Sequence, residues 1–421
     1  MTLISYVNKL RDLLFTLVFP FSARLTSAVQ ILLATLLVVQ SLSTEAAGEY
    51  FLGMVFLTIG ITVARLGLDN ILVSEFSPLH FGESESQGEF FAKTISLVFV
   101  SSISVLLLLL LTVVLFRDVG DANDRALSIV ILISSVVPVT LSYTFSDFFK
   151  AKEMIYRSIF ARGLLASTIF YCSLLFFGPD SLLDICKLYL ISTIVALIVV
   201  VFFGAISFSF GISTSTFSFR RLLRRALPML AVGVSGLVIG WVDGLVVRFF
   251  WGGEELALYS VAARLSVIVN FIGLTVLAVY APKLALAVSS KNIGDIDTLL
   301  VSAQKKSIVF GCVVLGGAVL YGERILLLFG EHYLDSYVPF LLLCFGQLVN
   351  ISFGPVGFLV VALGQEKTFA KWYMFISGVN LLCGLLFIPF FGSIAAATIS
   401  IITFFSINCI CLVVVKHRLN N

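Results

Sequence analysis

Charge is scarce in this 421-residue chain. Asp, Glu, Lys and Arg make up 12% of it, against roughly 25% in a soluble domain. Histidine occurs only at His80, His332 and His417, in three separate polar stretches, so no cluster with metal-ligand spacing arises. The seven cysteines contain no C-x-x-C pair, and all but Cys186 lie well inside apolar runs. An odd number so placed argues against a disulfide framework and suits small buried hydrophobes. Basic residues are too few and too scattered to line a nucleic-acid groove, so no nucleic-acid partner is expected. No signal peptide is evident either. Residues 3–18 space Leu3, Val7, Leu10, Leu14 and Leu17 among Asn8, Lys9, Arg11 and Asp12, which suits a helix lying on a membrane surface.

What the chain has in excess is hydrophobicity. Apolar residues reach 59%, with 40 phenylalanines, where a soluble domain carries roughly 45–50%. The polar residues that remain are bunched between long apolar runs. The fold class is therefore all-α integral membrane protein. A bilayer core of about 30 Å needs about 20 apolar residues per helix. On that rule about twelve spans fall near 22–42, 50–73, 94–116, 127–149, 156–177, 185–205, 227–250, 257–280, 307–322, 337–362, 369–390 and 393–415. The ninth is the shortest, because Glu323 and Arg324 interrupt it before Ile325–Phe329. Lysine and arginine set the orientation, since cytoplasmic loops retain them. With both termini inside, the outer loops hold only Arg117, Arg125, Lys187 and Arg324. Four more arginines lie within spans, and the other 19 of the 27 basic residues fall on the inner side. The stretch 74–93 is acidic, but acids weigh little in this rule.

The architecture reads as a duplication. Shifted by 209 residues, span 22–42 falls on 231–251, 127–149 on 336–358, and 185–205 on 394–414. Glu45-x4-Tyr50 lands on Glu254-x4-Tyr259. Two six-helix bundles, 1–205 and 227–421, are then related by an axis along the membrane normal, as in a parallel transporter repeat. Residues 206–226 form a cytoplasmic linker that ends in the basic run Arg220-Arg221-Leu222-Leu223-Arg224-Arg225, an anchor for anionic lipid. Duplicated bundles of this kind argue for alternating access to a central cavity.

Four local stretches carry a family resemblance. Gly48-Glu49-Tyr50 precedes Arg65-Leu66-Gly67-Leu68-Asp69-Asn70. Leu223-x4-Pro228 leads through Trp241-Val242-Asp243 to Leu258-Tyr259-Ser260-Val261-Ala262. The others are Leu328-Phe329-Gly330-Glu331-x-Tyr333, and Gly346-Gln347-Leu348-Val349-Asn350 with Gly354-Pro355. Together these resemble the Wzx-type polysaccharide flippases, which group with the MATE-like multidrug/oligosaccharidyl-lipid/polysaccharide exporters. The second stretch is the most specific, although Ala257 stands where that family usually has glycine. The resemblance implies a MATE-like fold in the bacterial inner membrane, with no cofactor and no enzymatic activity. It implies undecaprenyl-pyrophosphate-linked oligosaccharide repeat units as substrate, moved from the cytoplasmic to the periplasmic leaflet for O-antigen (lipopolysaccharide) or other surface-polysaccharide biosynthesis. Membrane lipid, a polysaccharide polymerase and chain-length proteins are the further partners it suggests. A cation-coupled drug exporter of the MATE branch is the nearest alternative. Members of that branch commonly place a carboxylate in the first helix, and residues 25–44 contain none. A membrane polymerase or ligase usually has a large periplasmic loop with catalytic arginines or histidines, and no outer loop here is long.

Apart from Arg24, Arg157, Lys187 and Lys371 at span entrances, seven ionisable residues lie within spans: Arg65, Asp69, Asp147, Arg162, Asp243, Arg248 and Arg264. Each costs about 2.5–3.5 kcal/mol at a helix centre and so normally faces protein or water. Given the resemblance, Arg65, Arg162, Arg248 and Arg264 are candidates for binding the substrate pyrophosphate, because guanidinium binds phosphate bidentately and stays charged. Asp69, Asp147 and Asp243 are candidates for a coupling ion or for balancing an arginine. Arg65 and Asp69, four apart, are placed to pair, and Arg162 and Arg248 are near enough to helix ends to snorkel. Asp243 is the expected counter-ion of Arg264. Gly233, Gly236, Gly240 and Gly244 fall on one stripe of the seventh span, which permits either close helix packing or a hinge. Pro138 and Pro355 are expected kinks.

Overall fold

The computed structural model describes residues 19–69, 71–72, 84–115, 123–207, 219–290 and 292–420. The surface helix expected over 3–18 and most of the 206–226 linker lie outside the described residues, as do the polar stretches 73–83 and 116–122. Every regular element among the described residues is helical. Among the described residues, nine helical stretches are long and apolar enough to cross a membrane, and the shorter Leu25–Ser41 is similarly apolar. Two of the nine are double: the helix Asp243–Ser289 breaks at Gly252 (φ 91°) and Glu366–Asn420 at Gly392 (φ 57°). About twelve crossing segments result, as the hydropathy predicts.

These two breaks reduce a hairpin turn to little more than one residue, which glycine permits because it lacks the Cβ that penalises positive φ. A side-chain staple joins the two tips. Trp251 Nε1 donates to the Ile388 carbonyl at 2.8 Å, and the Ser393 amide donates to Glu255 Oε1 at 3.4 Å.

The ninth span is longer than expected. Ile293–Leu327 is one continuous helix of 35 residues that runs through Glu323 and Arg324. Both residues are exposed near its end, so their charge reaches solvent and does not break the helix. The second span is shorter than expected: Thr44–Ala64 is helical, and the chain then breaks over Arg65–Gly67. The two proline sites do interrupt their helices. Span four divides at Ser135, three residues before Pro138. Span ten breaks at Gly354-Pro355, where Gln304 Nε2 donates at 3.0 Å to the freed Phe353 carbonyl.

The chain forms two compact units, Met1–Val234 and Ser235–Asn421, whose boundary falls inside the helix Phe219–Leu237. In the first unit, one buried cluster joins Leu57, Ile61 and Ala64 to Leu109, Ile133 and Val136. A second is built on phenylalanine: Phe91 packs edge-on against Phe145 and Phe148, with ring centroids 5.4 and 4.7 Å apart. These edge-to-face contacts each add about 0.5–1.5 kcal/mol beyond area burial. In the second unit, Tyr280, Leu284, Leu300, Ala303, Val356 and Leu359 form the main buried cluster.

Gly67 is a point of close backbone approach in the first unit. Its φ is 73°, and a Cβ there would sit 2.4 Å from the Ala226 carbonyl oxygen and 2.3 Å from the Leu230 nitrogen. Backbone cannot yield as a side-chain tip can. Gly178 has a similar φ of 50° with open space around it. Gly178→Ala should therefore cost only about 1 kcal/mol, the ordinary penalty for a left-handed residue. Gly67→Ala should lose most of the folded, monodisperse protein in detergent chromatography. Equal recovery of the two variants would contradict the close approach.

Candidate functional site

The break after Ala64 positions the first functional side chain. Arg65 caps the helix, donating its amide to the Ile61 carbonyl at 3.2 Å. Leu66 (φ 54°) and Gly67 (φ 73°) then turn the chain through the left-handed region. A leucine held there stores strain of order 1–3 kcal/mol, which persists only where the surroundings over-determine it. Backbone bonds from the Leu66 amide to the Val63 carbonyl and from the Leu68 amide to the Arg65 carbonyl, each 3.0 Å, close the turn. Arg65 Nη2 donates to Asp147 Oδ2 on the helix Val136–Ala151 and forms an ion pair with Asp69 Oδ1 at 2.7 Å without hydrogen-bonding to it. The expected Arg65–Asp69 pair thus forms, but across a broken helix, and Arg65 has a second partner.

Asp147 divides its carboxylate between two cations. Its Oδ1 accepts from Arg162 Nη1 at 2.7 Å, while Oδ2 accepts from Arg65. One turn earlier, the Tyr143 ring lies beneath both guanidiniums, 5.6 Å from Arg65 and 5.4 Å from Arg162. Such cation–π contacts are worth about 0.5–2 kcal/mol, more as water is excluded. Arg65 and Asp147 are buried, at 6% and 2% exposure. The Arg162 side chain is 48% exposed. It projects from a π-turn, Phe160–Leu164, whose Gly163 is non-helical (φ 125°). Irregular turns of this kind inside helices recur at functional sites.

Beside these charges lies a cavity of about 520 Å³ lined by Asp69, Asp147, Lys150, Ser158 and Arg162, with Ala23 and Ser27 of the first helix. Arg65 stands behind Asp147. The three cations outnumber the two carboxylates, so the group has room for further negative charge. The sequence reading passes over Tyr143 and Lys150, yet the signal was present. At 100° per residue, positions 143, 147 and 150 fall at 0°, 40° and 340° on one face of a helix.

The second-half charges do not assemble in the expected way. Asp243 is buried and accepts from Ser400 Oγ at 3.1 Å. Depth in a span sets the height of a charge, and it leaves open which neighbour the charge faces. Arg248 and Arg264 are half-buried. Asp243 directly follows a second π-turn, Val238–Val242, in the glycine-striped helix. That stripe makes no close helix contact at its centre: a Cβ on Gly240 would meet nothing within 4 Å. Of the two readings of the stripe, packing fits Gly236 and Gly244, where a Cβ would meet Tyr373 and Leu256, and does not fit Gly240.

A stability contrast follows. Asp147 neutralises two arginines in a buried setting, whereas the Asp69 side chain is 41% exposed. Removing one partner of a buried pair costs about 3–5 kcal/mol, but an exposed one about 0–1. Asp147→Ala should depress the thermal midpoint in detergent sharply and Asp69→Ala hardly at all. Equal depression by the two would show that Asp147 is not the hub.

Comparison with known proteins gives the chain its place. The solved structures that share its fold include the following three. An inward-facing multidrug resistance MATE family transporter of the MOP superfamily is 15% identical, with a TM-score of 0.72 over 95% of this chain and 98% of that one. The lipid II flippase MurJ, in an inward closed conformation, is 17% identical, with a TM-score of 0.73 over 94% and 87%. A mutant of the Vibrio cholerae MATE transporter VcmN is 12% identical, with a TM-score of 0.64 over 98% of both. No curated protein sequence matches. Residues 10–285 match the family described as polysaccharide biosynthesis protein. The chain is a multi-pass membrane member of the polysaccharide biosynthesis protein family, built on the fold that the MATE transporters and MurJ share.

Proposed function

We propose that this protein is a flippase that carries undecaprenyl-pyrophosphate-linked oligosaccharide repeat units from the cytoplasmic to the periplasmic leaflet, by alternating access, for O-antigen or another surface polysaccharide. The single observation that carries this reading is the cation-rich cavity of the first unit, in a chain of the polysaccharide biosynthesis family. A pyrophosphate brings negative charge and several acceptor oxygens, and guanidinium offers it paired donors. In this reading the diphosphate enters from the cytoplasmic side and takes Arg162 and Lys150. Arg162 is the guanidinium able to change partners, because it is half exposed and held by only one carboxylate oxygen. Arg65 keeps Asp69 and Asp147 in place.

Asp243 has a different part. It is a buried carboxylate whose hydrogen bond comes from a neutral hydroxyl. An uncompensated charge there is costly, so it is a carboxylate suited to taking up a proton or a monovalent cation. We assign the coupling step to it. Arg248 and Arg264 remain candidates for the outward half of the path. The inner membrane as location, both termini cytoplasmic, and a polymerase and chain-length proteins as neighbours belong to the same reading. The multidrug alternative draws on the MATE neighbours alone, while the family match favours a polysaccharide precursor.

The test is genetic and chemical. In a strain lacking the gene, undecaprenyl-linked repeat units should accumulate and stay inaccessible to a sugar-modifying enzyme added to intact spheroplasts. Arg162→Ala at normal protein level should cut surface polysaccharide roughly tenfold, about the worth of one hydrogen bond to a charged group. Arg162→Lys should restore part of it, since lysine supplies charge without the fork. Wild-type polysaccharide from Arg162→Ala would rule out this binding site.

A further inference from the structure

A second cationic cluster lies in the C-terminal unit, distinct from every charge discussed above. The Tyr280 ring is buried among Leu284, Leu300 and Ala303, and its hydroxyl lies 2.7 Å from Ser302 Oγ, which fixes it. Two ammonium groups from different helices converge on that ring. Lys283 Nζ is 5.7 Å from the centroid and Lys306 Nζ is 5.3 Å away. Both lysines are exposed, and neither forms an ion pair among the described residues. Like charges gathered on one rigid platform repel one another unless an anion is shared between them.

Position suggests which anion. From the break at Gly252, the helix runs 28 residues to Tyr280, about 42 Å at 1.5 Å per residue. A bilayer with its headgroups is about 40–45 Å thick. If Gly252 lies at one membrane face, Tyr280 and its lysines lie in the headgroup layer of the other. We propose that Lys283 and Lys306, seated on Tyr280, form a binding site for the phosphate of a membrane lipid headgroup. Two lipids offer that chemistry: an anionic phospholipid of the bilayer, or a polyprenyl carrier bearing a diphosphate. Lys305, exposed and adjacent in sequence to Lys306, serves as the control for diffuse positive charge.

The site stands independently of the flippase reading, because the test is binding alone. Full-length protein is titrated with phosphatidylglycerol and, separately, with undecaprenyl pyrophosphate, and bound lipid is counted by native mass spectrometry. Each lysine near anionic lipid contributes about a factor of five, so K283Q/K306Q should weaken binding of at least one of the two lipids more than tenfold. K305Q should change it less than twofold, and K283R/K306R should bind as wild type. A loss confined to phosphatidylglycerol names bilayer lipid as the ligand, and a loss confined to undecaprenyl pyrophosphate names the carrier. Unchanged binding of both lipids to K283Q/K306Q, or an equal loss in K305Q, overturns the site. Should K283Q/K306Q fail to fold, the single variants K283Q and K306Q carry the same comparison, each with a several-fold loss expected.

Discussion

Burying a carboxylate between two guanidiniums within a membrane protein sets conditions on everything around it. Each ion loses its hydration, and the loss is recovered only if every charge meets a partner in good geometry. Asp147 meets that demand by giving one oxygen to Arg65 and the other to Arg162, with the Tyr143 face beneath both. Straight helices would not bring these groups together. The chain leaves helical geometry after Ala64 so that Arg65 can turn inward, and it bulges at Phe160–Leu164 where Arg162 projects. Leu66 tolerates a left-handed backbone for the same reason.

Irregular backbone is itself costly in a bilayer, where unpaired N–H and C=O groups find no water, and it persists only where protein covers it or a polar cavity solvates it. That cost explains why the irregular turns and the charges coincide. Arg65 follows one helix end, Arg162 sits in one π-turn and Asp243 follows the other. The arrangement gives the two kinds of charge different prospects. Arg65 and Asp147 are buried and mutually satisfied, so they hold the frame. Arg162 is half exposed at the cavity, and in the proposed function it is the guanidinium that exchanges its partner for an anion while Arg65 stays paired.

Much of this was readable in the sequence, and the reason is the solvent. Lipid forces hydropathy and span length into register, so the spans and the all-helical class follow from apolar runs alone. The breaks at Pro138 and Pro355 were readable too, whereas the positive φ of Gly67, Gly163, Gly252, Gly354 and Gly392 was not foreseen. Partner choice was not. The spacing paired Arg65 with Asp69 and named no partner for Asp147, yet both carboxylates meet Arg65. Asp243 and Arg264 share the same half of adjacent spans, yet the carboxylate meets Ser400. Azimuth about a helix depends on tertiary packing, which a single sequence leaves undetermined. The face shared by Tyr143, Asp147 and Lys150 shows that helical periodicity still narrows the options when it is applied to polar residues.

The central claim is that Asp147 competes with a diphosphate for Arg162. It is tested most directly by equilibrium binding of undecaprenyl pyrophosphate to purified protein carrying Asp147→Asn, which keeps the side chain's shape and removes its charge. If the carboxylate is a competitor, this variant should bind the diphosphate several-fold more tightly than wild type, a change of about 1 kcal/mol or more. Binding that is weaker than wild type, in protein whose folded fraction is unchanged, would contradict the account.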